Sequence, residues 1–184
     1  MPRTRSRLAT AALAVAAVLA MATGVVASQQ RNFTTAMSGA AEVPVRDTHG
    51  RGIAILRLSD DGTAVSYKVI ASNIENVFMA HIHIQAEGSL PGAATGPIGV
   101  WLAPSTTPGV TLPLGGGRHD GILATGTFTA ANFVGPLAGQ PMSSLLTAIQ
   151  QGRAYVNVHT DDGVAPPNTG AGDFPGGEIR GNLP

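Results

Sequence analysis

The chain has no cysteine, which excludes disulfides, thiolate metal sites, a cysteine nucleophile and a lipid-modified cysteine anchor. Aromatic residues make up 4% and charged residues 12% of its 184 positions. No run of like charge exceeds two residues, as at Asp60-Asp61 and Asp161-Asp162, so there is no electrostatic tail and no polybasic membrane patch. The formal charge is zero, and without the three arginines near the N-terminus 8 basic residues face 11 acidic ones, a charge of −3. That balance argues against nucleic acid as a partner. There is no Gly-x-Ser-x-Gly elbow and no phosphate loop, since Gly115-Gly116-Gly117 lacks the lysine and hydroxyl that such a loop needs. No repeat of fixed period is visible.

Glycine and proline are abundant, at 24 and 13 residues, a profile of many short strands joined by turns. Arg3, Arg5 and Arg7 precede an apolar run from Leu8 to Met21, followed by Val25-Val26-Ala27, a pattern read as a signal peptide over residues 1–27. Left uncleaved, the same run is nearly long enough to anchor the chain in a bilayer. Either way residues 28–184 form one domain that is secreted, periplasmic or held at the cell surface. Asn32-Phe33-Thr34 fits a glycosylation sequon, a short pattern of little weight.

Alternation predicts the strands. Phe33 to Met37 comes first. Gly52 to Leu58 and Ala64 to Ala71 then form a hairpin around Asp60-Asp61-Gly62, with Ala54, Leu56 and Leu58 on one face of the first strand and Val65, Tyr67 and Val69 on one face of the second. Val77 to Gln85 places Phe78, Ala80, Ile82 and Ile84 on one face, with Met79, His81, His83 and Gln85 on the other. Pro97 to Leu102 is an apolar strand whose Trp101 is read as core, and Ile122 to Thr129 is another strand. Met142, Leu145, Leu146 and Ile149 recur at helical spacing before Gly152, which predicts one short helix with a glycine C-cap. Arg153 to Thr160 sets Ala154, Val156 and Val158 against Tyr155, Asn157 and His159, and Gly177 to Leu183 is the last strand. The expected fold is all-β, an antiparallel Greek-key β-sandwich of superoxide dismutase-like or immunoglobulin-like form with one short helix.

Histidines two apart on a strand share a face, so His81 and His83 can act as a two-toothed clamp to which His159 adds a third imidazole. Three imidazoles suit copper, with zinc possible, and leave a position for water or substrate. Asp161 or Asp162 is a candidate to orient His159. The alternative is that the histidines only hydrogen-bond across the sheet and that no cofactor is present. Glu178 and Arg180 share a face of the last strand, which predicts an ion pair or cross-strand charge partner, with Arg180 steering an anion as the functional alternative. Asp161, Asp162, Asp173 and Glu178 offer hard oxygens, but their spacing does not match a calcium loop and reads as turn-making.

Phe33 with Ser38-Gly39 and Glu42-Val43-Pro44, Gly50 to Gly52, Ala80-His81-Ile82-His83, Gly152 with Tyr155-Val156-Asn157-Val158-His159-Thr160, and Gly177-Glu178-Ile179-Arg180-Gly181 together resemble the CHRD domain, named for chordin. The resemblance covers nearly all of the exported part, and its last two motifs are the most specific. It implies an extracellular β-sandwich module and no known reaction. A fainter similarity to copper/zinc superoxide dismutase rests on His-x-His and the late His159. The chain departs from that family in having no cysteine and no central histidine cluster, His119 being the single candidate there. The function expected is an exported protein that binds a metal ion through His81, His83 and His159. The alternatives are a metal-free module that binds an extracellular protein, or a superoxide dismutase-like copper enzyme, for which no catalytic residue can be named.

Overall fold

Alternating segments bounded by glycine, proline and asparagine become eight antiparallel strands, because each can bury one face only by stacking against another. The computed structural model describes residues 30–184, and the leader expected over residues 1–27 lies outside the described residues. The strands are β1 (Asn32–Ser38), β2 (Arg51–Leu58), β3 (Ala64–Glu75), β4 (Val77–Ile84), β5 (Ile98–Ala103), β6 (Arg118–Thr129), β7 (Ala154–Thr160) and β8 (Ile179–Asn182). The α-helix α1 (Met142–Gln150) lies between β6 and β7. Among the described residues no helix is long and apolar enough to cross a membrane.

The hydrogen-bonded order is β5-β4-β7-β8-β1-β2-β3-β6. Its weakest seam is between β8 and β1, joined through the single register pair Ser38 and Arg180. Here the sheet folds over, and one half (β5-β4-β7-β8) faces the other (β1-β2-β3-β6). The Tyr67 hydroxyl on β3 donates to the Leu102 carbonyl of β5 across the gap at 2.7 Å. Consecutive strands repeatedly change halves, as a Greek-key sandwich requires. Between β3 and β4 the switch takes one residue, Asn76, held at φ 54°.

The core between the halves is built from the alternating residues. Leu56, Leu58, Val65, Tyr67, Val69 and Phe128 from one half meet Ile82, Val100, Leu102, Val156 and Val158 from the other, all buried. The buried residues of α1 (Met142, Leu145, Leu146, Ala148 and Ile149) extend the same core. Asp61 sets the β2–β3 turn, its Oδ1 accepting from the Thr63 amide at 3.0 Å and from the hydroxyls of Ser59 and Thr63.

Three details differ from simple alternation. β6 begins at Arg118, before the expected Ile122, because bulges in β3 let Ile74 and Glu75 pair with His119 and Arg118. Phe78 leaves the core face, since the register shifts between Val77 and Met79, and its ring meets His159 edge-on at 6.3 Å. Trp101 is half-buried rather than core: its neighbours Val100 and Leu102 take the core face, and it falls on the other.

That other face, carrying Trp101, His81, His83, Tyr155, Asn157, His159 and Arg180, is covered by loops and not by a second sheet. Segments 42–50, 86–97 and 161–177 lie over it, bringing Glu42 to Asn157, the Ala94 carbonyl to Arg180, the Gly96 carbonyl to His83 and the Pro175 carbonyl to His159.

The end of α1 provides a direct test of the packing. Gly152 at φ 66° donates to the Ile149 carbonyl at 2.8 Å, and Arg153 donates to the Ala148 carbonyl at 2.9 Å, the paired bonds of a Schellman cap. A Cβ on Gly152 would lie 2.8 Å from the Pro91 Cβ, whereas one on Gly62, also at positive φ (72°), would meet nothing within 4 Å. In urea denaturation Gly62→Ala is expected to lose about 1 kcal/mol from backbone strain, and Gly152→Ala clearly more. Equal losses would show that the cap does not press on the 86–97 loop.

Candidate metal centre

Sheet register brings the three histidines of the sequence reading together. On β4, His81 stands opposite Trp101 of β5 and Asn157 of β7, and His83 stands opposite Tyr155. On β7, His159 is opposite Met79, one same-face step from His81. All three are withdrawn from water, with 0% exposure for His81, 8% for His83 and 4% for His159. His159 Nε2 lies 3.2 Å from His81 Nδ1 and 3.3 Å from His83 Nε2.

The second ring nitrogens determine what these contacts are. His83 Nδ1 donates to the Gly96 carbonyl at 2.8 Å, and His159 Nδ1 donates to the Pro175 carbonyl at 2.9 Å. A carbonyl only accepts, so both rings carry their proton on Nδ1 and present bare lone pairs at Nε2. These two lone pairs point at each other across 3.3 Å with no hydrogen between them. His81 can relieve one of them by donating from Nδ1, but then its own Nε2, buried and without a partner, carries an unsatisfied lone pair. No assignment of neutral tautomers satisfies all three rings.

Protonation does not resolve the conflict. Burial pushes His81 down to about 2, with the neighbouring His159 and His83 adding to the effect. Burial likewise lowers His83 to about 4 against the opposing hydrogen bond to Gly96, with Arg180 lowering it further. His159 falls to about 3 through burial and the charge of His83, against the hydrogen bond to Pro175. The imidazoles are neutral at physiological pH, the state that ligates a metal. Tetrahedral coordination at ordinary metal–imidazole distances puts nitrogens about 3.3 Å apart, which is the separation of His159 Nε2 from the nitrogens of His81 and His83.

A packed polar shell surrounds the rings. Tyr155 stacks on His83 with centroids 5.1 Å apart and planes 9° from parallel, and the Arg180 guanidinium sits 3.6 Å from the centroid of the Tyr155 ring. Trp101 meets His81 edge-on at 4.2 Å. Arg180, fully buried, also donates to the Ala94 carbonyl and to Asn182. Glu42 approaches from the 42–50 segment, accepting from Asn157 at 3.4 Å, and burial raises its carboxyl to about 7 against the pull of Arg180 and Arg46.

Several expectations change here. Glu178 and Arg180 do not form an ion pair. Among the described residues the side-chain ion pairs are Arg31–Asp60 and Arg118–Asp120. Glu178 instead accepts from Thr48 at 2.5 Å, from Thr160 at 2.6 Å and from the Gly172 amide at 2.8 Å, tying the covering loops to the sheet. Buried and stacked, Arg180 has no open surface from which to steer an anion. His159 is oriented by Pro175 and not by Asp161 or Asp162. His119 lies opposite Ile74 at the far end of β6 and joins neither of the metal-ligand groups found among the described residues. The ring partners Tyr155 and Asn157 were legible from alternation. The Gly96 and Pro175 carbonyls were not, because any residue supplies a carbonyl.

A family model described as the CHRD domain matches residues 33–183. No curated protein and no solved structure matches the chain. The family match spans both histidine strands and the final Gly-Glu-Ile-Arg-Gly segment, and the chain belongs to the CHRD domain family.

The depressed imidazoles make the metal-free protein acid-sensitive. Unfolded histidines take up protons below about pH 6.5 that the native ones refuse, so their contribution is complete above 6.5 and is lost as pH falls toward their native values near 4 and below. Glu42, raised to about 7, has the opposite sign: its contribution is present below its unfolded value and is lost as pH rises through 7. Three histidines outweigh one glutamate, at about 1.4 kcal/mol per group per pH unit. The urea midpoint of metal-free protein is expected to fall from pH 6.5 to 5, and to fall more steeply in Glu42→Gln. A flat profile in both would contradict the neutral-imidazole assignment.

Proposed function

We propose that this CHRD-family protein is an exported binding protein that holds one transition-metal ion, copper ahead of zinc, between His81 Nδ1, His83 Nε2 and His159 Nε2. The observation that carries the reading is the pair of bare Nε2 lone pairs, 3.3 Å apart, on rings whose other nitrogens are committed to carbonyls. A cation between them takes up the bare lone pairs of His83 and His159 and the Nδ1 lone pair of His81, leaving His81 Nε2 as the one ring nitrogen of the three without a partner. An all-imidazole donor set without carboxylate or thiolate favours copper over zinc in affinity order. The carbonyls of Gly96 and Pro175 fix ring orientation in the way that outer hydrogen bonds do at metal-bound histidines. Near-complete burial of the ligands supports a closed binding site over one that turns over a bulky substrate. Export is supported by the expected leader and by the extracellular character that the family resemblance implies.

A second reading has an observation of its own. Ile53 on β2, Ile70 on β3 and Ile122 on β6 are successive cross-strand neighbours on the outer face. Ile53 and Ile122 are exposed, as is the nearby Ile55. Such a ridge suits contact with an extracellular protein partner and needs no metal.

The deciding measurement is elemental analysis after copper and zinc loading and desalting, for the wild type and the His81→Ala/His83→Ala/His159→Ala variant, with circular dichroism to establish that both are folded. About one copper per wild-type chain, lost in the variant, is the expected result. Each single alanine is expected to weaken copper binding at least about tenfold, roughly 1.4 kcal/mol. Equal copper in wild type and variant, or none in either, would remove the histidine site and leave the apolar ridge as the working surface.

A further inference from the structure

The loop that follows β7 gathers a second set of ligands, made of carboxylates and separate from the histidines. Asp161, Asp162 and Asp173 each bring a carboxylate oxygen within 4.8 Å of the other two. Each carboxylate is held by one oxygen: Asp161 Oδ1 accepts from the Gly163 amide at 2.7 Å, Asp162 Oδ1 from the Val164 amide at 2.8 Å, and Asp173 Oδ2 from the amide and hydroxyl of Thr169 at 3.0 and 2.8 Å. The turn-making role read from the sequence is therefore present, but it engages only half of each group.

Asp173 supplies the independent observation. The residue is 2% exposed, yet its Oδ1 is buried with no hydrogen-bond partner. A buried carboxylate oxygen without a donor carries a desolvation penalty that ordinary turn geometry does not explain. No arginine, lysine or histidine pairs with any of the three aspartates among the described residues. The Thr169 amide and hydroxyl hold the Asp173 carboxyl below the usual range, so the group is ionised.

We propose that Asp161, Asp162 and Asp173 form a hard-cation site that binds Ca²⁺. Oxygen ligands select Ca²⁺ or Mg²⁺ over copper and zinc. An irregular loop suits the flexible oxygen shell of calcium better than the strict octahedron of magnesium. The half-exposed Asp161 and Asp162 leave the outer side of the ion open to water. The bound ion would pin both ends of the loop, Asp161-Asp162 at the end of β7 and Asp173 two residues before Pro175. This site stands whether or not the histidines hold a metal.

The test is calorimetric titration of Ca²⁺ into the purified full-length protein after chelator treatment, paired with the melting temperature with and without Ca²⁺. The expected result is one ion per chain in the affinity range of extracellular modules, about 0.1–1 mM, with a rise in melting temperature. Asp162→Asn keeps its turn bond and sits at a half-exposed position, so it is expected to fold and to weaken Ca²⁺ at least tenfold. Asp173→Asn is expected to abolish binding. The triple histidine variant should keep the wild-type calcium response, which separates failure of this site from failure of the histidine centre. No heat and no shift at millimolar Ca²⁺, or an Asp162→Asn titration matching the wild type, would overturn the proposal.

Discussion

Removal of a polar sheet face from water is the constraint on which the rest of this structure depends. Half of the sandwich, β5-β4-β7-β8, buries its apolar side in the ordinary way against the other half. Its reverse side carries three histidines, an asparagine and an arginine, and these are buried too. Polar groups tolerate burial only when they are bonded, and with no second sheet above them the bonds must come from loops. Hence segment 86–97 supplies the carbonyls of Ala94 and Gly96, segment 161–177 supplies that of Pro175, and segment 42–50 supplies Glu42 and Thr48. Glu178 fastens two of these segments to the sheet through its two oxygens.

The same burial sets the chemistry. Desolvation disfavours imidazolium, and the three rings crowd one another, so each is neutral over the physiological range. Backbone carbonyls, fixed by the loops, then decide where the remaining protons sit. Two acceptors left facing each other at 3.3 Å are an unfavourable arrangement for a chain to maintain by hydrogen bonding alone, and a favourable one for a cation. The loop that carries Pro175 also carries the three aspartates, so the wall of the histidine centre and the acidic cluster belong to one piece of chain. The imidazoles stand on β4 and β7, while the carboxylates sit on this loop, Asp161 and Asp162 half-exposed and Asp173 buried.

Much of the architecture follows from patterns two residues long. The β2–β3 hairpin, the faces of β4 and β7 and the single helix with its glycine cap are local: alternation, turn residues and helical spacing are written in consecutive positions, and burial rewards them as read. Where local reading failed, a long-range contact had intervened. Phe78 left its face because a bulge in the pairing of β4 with β7 reset the alternation. Trp101 reads as core because its strand is apolar throughout, and only pairing with His81 shows which side it occupies. The expected link between Glu178 and Arg180 rested on a shared face. In the fold each finds a better partner, Glu178 in the hydroxyls of Thr48 and Thr160 and Arg180 in the ring of Tyr155.

What the sequence determined by itself is the set of donors and the periodicity that aims them. His81 and His83 must share a face because a strand repeats every two residues, His159 falls on the same side as Tyr155 and Asn157, and the absence of cysteine removes thiolate from the ligands available. Their meeting, their burial and their protonation arise from long-range packing. His81 and His159 are 78 positions apart, and the pairing of β4 with β7 that joins them is a choice among strand orders that no local pattern encodes. The carbonyls of Gly96 and Pro175 that orient the rings, and the convergence of Asp173 on Asp161 and Asp162, arise from loop closure over the sheet, where backbone atoms common to every residue do the selecting.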